Sequence, residues 1–146
     1  MTSQDLRNIT DARLTTINTL ISAKDWGMAA YMMGYALECA LKAVICKTLH
    51  LSDYPDCPQK NFSSEKIPTF FRAHEFETLL ILSGMVDVLG YDGELYEDWS
   101  GFTQEFHGNW PTLRYTLDPG WDEIKTARVH NNLKNLINRI KKQWEI

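Results

Sequence analysis

Tyr31, Tyr35, Glu38 and Lys42 put two stacking phenols, a carboxylate and an amine within one otherwise apolar stretch. On a helix advancing about 100° per residue they project into one narrow sector, beside Ile45 and Leu49. Glu38 and Lys42 stand four apart in the order that favours pairing. Two chemistries fit this strip. One is a partly buried ion pair that fixes how helices dock, a role in which such pairs act more on specificity than on stability. The other is a cleft wall where a tyrosine stacks on a base and Lys42 meets a phosphate.

The thiols offer a second constellation. Cys39, Cys46 and His50 fall on one side of the same helix, and Cys57 lies just beyond. Four zinc ligands suffice in principle, but a structural site is normally built on closely spaced Cys–Cys knuckles, which this sequence lacks. A free cysteine is also an ordinary small buried hydrophobe. The expectation is therefore no metal and no other cofactor. His74 sits where a loop enters a helix, so capping is its plain role. His130 falls on the apolar face of the last helix and reads as a core or interface histidine. Glu94, Glu97 and Asp98 stand at a helix start, where carboxylates favour the dipole. No Ser-His-Asp set, glycine-rich phosphate loop or carboxylate pair has useful spacing.

The elements that must position these groups are helices. A first helix is predicted from about Ser3 to Ala23, with Leu6, Ile9, Arg13, Ile17, Leu20 and Ile21 at helical spacing and Ser3 as its cap. The second, from about Asp25 to Leu49, is apolar on nearly every side and reads as central. Trp26, Ala30, Met33, Leu37, Ala40, Leu41 and Val44 form its main stripe, and Ala29, Ala36 and Ala43 a flank that lets a neighbour approach closely. A membrane span would carry Glu38 and Lys42 near its middle at a cost of a few kcal/mol each, so no membrane is expected. A proline-bearing loop fills 51–73, and a short helix runs from about His74 to Leu89. A helix over about Gly93–Phe106 carries Leu95, Trp99, Phe102 and Phe106, with Trp110 continuing the stripe until Pro111. The last helix follows Asp118-Pro119, read as its cap and first-turn proline. The fold class is all-α, a bundle of four long helices plus one short helix.

The 146 residues make one domain, 1–146. Apolar residues at 44% and charged residues at 23% exclude disordered and fibrous classes. A net charge of −4 argues against nucleic-acid binding by bulk electrostatics. The charge is uneven: 51–109 is acidic, while the last helix carries Lys125, Arg128, Lys134, Arg139, Lys141 and Lys142. That face is either dipole complement and solvated surface or a contact for RNA or an acidic partner. The start, MTSQDLRNIT, is polar and has no apolar leader core, so the expectation is a cytoplasmic chain with reduced thiols. The breadth of the apolar surface on the second helix, with Met28, Met32 and Tyr35 off its main stripe, predicts a homodimer.

Three segments together resemble the HEPN family (higher eukaryotes and prokaryotes nucleotide-binding). AAYMMGYALECALKAVI, residues 29–45, is similar to the family's central helix at Tyr35, Ala36, Leu37, Glu38, Leu41 and Lys42. His74 with Leu79 and Leu80 resembles its histidine at the start of a Leu-rich helix, and Arg114-Tyr115 its Arg-Tyr before the last helix. The resemblance spans about residues 5–142. It implies an up-and-down bundle, homodimerisation, and a place beside nucleotidyltransferases, toxin–antitoxin pairs or phage defence. It implies ligand-binding roles for Tyr35, Glu38, Lys42, His74, Arg114 and Tyr115. Many members are metal-independent ribonucleases carrying Arg-x₄₋₆-His, and no arginine in this sequence is followed by a histidine at that distance. The expectation is therefore a non-catalytic module that binds a nucleotide, RNA or a partner such as a nucleotidyltransferase. The alternative is an endoribonuclease toxin with a degenerate active site.

Overall fold

The computed structural model describes residues 1–55, 69–106, 109–117 and 120–145. It is an all-α bundle. The helices are α1 (Ser3–Ser22), α2 (Trp26–Thr48), α3 (Phe76–Ser83), α4 (Val86–Tyr91), α5 (Gly93–Thr103) and α6 (Glu123–Trp144). Among the described residues, 3₁₀ segments at Thr69–Arg72 and Trp110–Tyr115 lie in the connections.

Short polar side chains set the helix starts. Thr2, one residue before the expected Ser3, caps α1 and forms a reciprocal capping box with Asp5. Asp25, Asp92 and Asp122 accept the amides of Met28, Leu95 and Lys125 to begin α2, α5 and α6. The cap of α6 is thus Asp122, while the expected Asp118-Pro119 lies outside the described residues. The short helix expected over 74–89 is two helices. Gly84, at φ 76, ends α3 in the left-handed conformation that glycine adopts without a steric penalty. His74 does not cap α3; Glu75 holds that position without a side-chain bond. α5 ends at Thr103, before Phe106, and Trp110 belongs to the second 3₁₀ segment.

α2 is the axis of the bundle. Fifteen of its 23 residues are buried, so one chain covers most of the apolar surface that predicted a dimer. Met28, Tyr31, Met32 and Tyr35 remain half-buried. α2 is also long and apolar enough to cross a membrane, but that surface lies mostly inside the bundle. The alanine flank brings α1 close: Ala29, Ala36 and Ala43 are fully buried, and the Ser3 hydroxyl reaches the Ala43 carbonyl at 3.1 Å. Leu37 and Leu41 are fully buried, worth about 2 kcal/mol each in apolar burial. α6 follows α2, its Trp144 indole donating to the Ala40 carbonyl at 3.3 Å. α5 runs antiparallel to α6, joined by Glu105 to Arg128 near one end and Asp98 to Asn135 further along. α3 packs on α2 and brings His74 to the polar strip.

Candidate ligand-binding face and groove

The strip on α2 is where the chain concentrates buried charge. Glu38 and Lys42 are 4% and 6% exposed, and Lys42 Nζ lies 2.7 Å from Glu38 Oε1. The ammonium also sits 4.7 Å above the Tyr54 ring, a desolvated cation–π contact. A buried carboxylate needs more than one partner. The second is His74, whose Nδ1 lies 3.0 Å from Oε2 and 3.1 Å from Oε1. The imidazole itself is about half exposed. With Glu38 accepting from Nδ1–H, Nε2 is the ring nitrogen left for an outside partner.

Trp110 fixes this arrangement. Its indole N–H donates to the His74 backbone carbonyl at 2.7 Å. Its ring stacks on Phe76 at 5.4 Å and lies 5.9 Å from Tyr31. It rests on Gly34, where a Cβ would stand only 2.7 Å from the ring. The second 3₁₀ segment can therefore cross α2 only because position 34 is bare.

On the far side of Trp110 lies a more exposed group. Arg114 Nη1 donates to the Tyr31 hydroxyl at 3.2 Å, and the guanidinium lies 4.8 Å from the Tyr115 ring. The Tyr31 hydrogen bond holds the guanidinium above its ordinary value. Tyr35 stacks parallel to Tyr31 with centroids 6.4 Å apart. Burial, and then Cys39, push the Tyr35 phenol up to about 12, so it stays a neutral donor. Tyr115 is 76% exposed and ready to stack.

The six residues singled out from the sequence thus fall into two adjoining groups. Glu38, Lys42 and His74 form one, Tyr35, Arg114 and Tyr115 the other, and Tyr31 and Trp110 bridge them. Glu38 takes Lys42 and His74, and Arg114 takes Tyr31. Sequence reasoning missed Arg72, which with His74, Glu75, Glu77, Asn109 and Trp110 lines a groove of about 580 Å³. Its signal was faint, a lone base in a loop two residues before His74.

The other constellations resolve into ordinary structure. Cys39 and Cys46 are buried, and burial with the nearby Glu38 pushes the Cys39 thiol up to about 12. Cys57 and His107 lie outside the described residues. Among the described residues no group of three or more His, Cys, Asp or Glu could hold a metal ion. His130 is half-buried, and burial together with Lys134 lowers its pKa. The basic face of α6 is partly neutralised: Lys125 and Arg128 pair with Glu105, and Lys141 with Asp11. Comparison with family models, curated proteins and solved structures finds no match.

Proposed function

We propose that this chain is a non-catalytic HEPN-type module that binds a nucleotide or a short RNA segment across the Tyr31–Arg114–Tyr115 face. The observation that carries this reading is the exposed Arg114 guanidinium held between two tyrosines. It offers a charge for phosphate beside ring faces for a base. The buried Glu38–Lys42 pair serves as the anchor that keeps α2 and His74 in register. Fluorescence anisotropy with labelled mononucleotides and single-stranded RNA tests the proposal. Arg114→Ala is expected to weaken binding by about 1–3 kcal/mol and to reduce its salt dependence, and Tyr115→Ala to weaken it at any salt. Binding that neither substitution changes would remove the reading.

The same module is proposed to act as a homodimer through the half-buried Met28, Met32 and Tyr35, or to pair with a nucleotidyltransferase, in a cytoplasmic toxin–antitoxin or defence setting. Light scattering should return twice the 16.9 kDa chain mass, and a monomer at micromolar concentration would refute the dimer.

One observation favours a second reading, an endoribonuclease. An imidazole held by a carboxylate, with Arg72 lining the same groove, has the components of a base and a phosphate clamp. RNA incubated with the protein in EDTA should stay intact; cleavage that disappears in His74→Ala would replace the first reading with the second.

A further inference from the structure

Among the described residues, His74 is the nucleophile whose surroundings look built for reaction and to which the binding face gives no role. Among the alternatives, Cys39 and Cys46 are buried, and His130 is half-buried beside Lys134. His50 is exposed but has no carboxylate partner among the described residues. Among the described residues His74 alone combines an anchored Nδ1, a half-exposed ring and a groove of about 580 Å³ in front of it.

The groove carries charge of both signs. Arg72 lines it, and so do Glu75 and Glu77. A plain phosphate dianion would be attracted by the first and repelled by the other two. A donor with an anionic phosphoryl end and a cationic nitrogen end matches both. Phosphoramidates have that form at neutral pH, because the P–N nitrogen is protonated before it leaves. We infer that His74 is a phosphoryl-acceptor site for an N-phosphorylated donor, independently of any nucleotide bound beside Arg114.

The step balances without another reactant. The Nε2 lone pair attacks phosphorus, the P–N bond breaks, and its electron pair leaves with the nitrogen, which gives up its positive charge and departs as a neutral amine. The product carries the phosphoryl group on Nε2 and keeps the proton on Nδ1. The ring therefore becomes cationic as the bond forms. Glu38, already bonded to Nδ1, stabilises that charge, as carboxylates do for imidazolium in acyl transfer. Arg72 meets the phosphoryl oxygens, and Glu75 and Glu77 hold the cationic nitrogen of the donor until the P–N bond breaks. An acyl phosphate, whose leaving group is an anion, meets those carboxylates unfavourably.

The test uses the purified chain with phosphoramidate at neutral pH, and locates the acid-labile label by mass spectrometry. His74 is expected to gain a phosphoryl group about tenfold faster than His50 in the same molecules, a comparison that needs no variant. Acetyl phosphate at equal concentration should label His74 more slowly than phosphoramidate. The exposed double variant Glu75→Gln/Glu77→Gln should narrow that difference. Glu38→Gln, with its fold checked by circular dichroism, should slow labelling at His74 and leave His50 unchanged. Equal rates at His74 and His50 would overturn the assignment, and faster labelling by acetyl phosphate would overturn the donor class. Nucleotide binding measured on the same samples stands or falls separately.

Discussion

Glu38 and Lys42 are more than nine-tenths buried in a helix that is otherwise apolar, an expensive placement for two charges. Each depends on the other. Lys42→Met removes the main counter-charge and leaves Glu38 with His74 alone, so it should destabilise the fold by about 3 kcal/mol in urea unfolding. The surface triad of Glu105 with Lys125 and Arg128 works differently. Burial alone pushes the Glu105 carboxyl up, but the hydrogen bonds and charges of Arg128 and Lys125 together outweigh it and the net shift is down. A folded-state value below the unfolded one contributes stability that is present above the ordinary value of 4.5 and lost as pH falls through the folded value. Glu105→Gln should therefore cost about 1 kcal/mol or less at pH near 7, with the difference from the natural chain vanishing in acid. Unfolding midpoints measured across that pH range check both the sign and the size.

The helices themselves were largely readable from the sequence, because their starts and faces depend on residues close in the chain. Of the predicted stripe, Ala30, Met33, Leu37, Ala40, Leu41 and Val44 are buried while Trp26 at its start is half-buried, and Asp25 opens α2 as the pattern implies. What could not be read came from tertiary contact. His74 finds Glu38 across 36 positions, and no local spacing encodes that meeting. Trp110 continued the periodicity of α5 by accident; the chain leaves the helix at Thr103, and the indole docks on Gly34 instead. The split at Gly84 was legible in principle but was masked by the apolar residues on either side. The Gly34 contact carries a prediction. Gly34→Ala places a methyl 2.7 Å from the Trp110 ring and must displace it, at a cost of about 1–3 kcal/mol. Because Trp110 holds His74 and touches Tyr31, the same substitution should weaken nucleotide binding at the Tyr31–Arg114–Tyr115 face and slow phosphoryl labelling of His74. Gly90→Ala, where a Cβ meets nothing within 4 Å, is the matched control expected to leave both properties intact.

Across the whole molecule, the far end of α6 gathers contacts from distant stretches of chain. The Trp144 carbonyl accepts from Arg7 and from Lys47, at 2.7 and 2.6 Å, and its indole reaches Ala40. These partners stand 137, 97 and 104 positions away in sequence. α1 and α2, by contrast, are joined by a turn of three residues and meet along their length. The consequence is one of order in time. The α1–α2 hairpin forms through short loops whose closure entropy is small, whereas seating Trp144 requires nearly the whole chain to be gathered first. The Trp144 clasp should close after the rate-limiting step. Trp144→Ala is then expected to speed unfolding by roughly the full loss of stability while leaving the refolding rate nearly unchanged. Stopped-flow kinetics in urea would read this directly, and a refolding limb slowed in step with the lost stability would mean that α6 docks early. A clasp that closes last is also the first to reopen, so the Lys47 and Trp144 region should exchange its amide hydrogens ahead of the centre of α2.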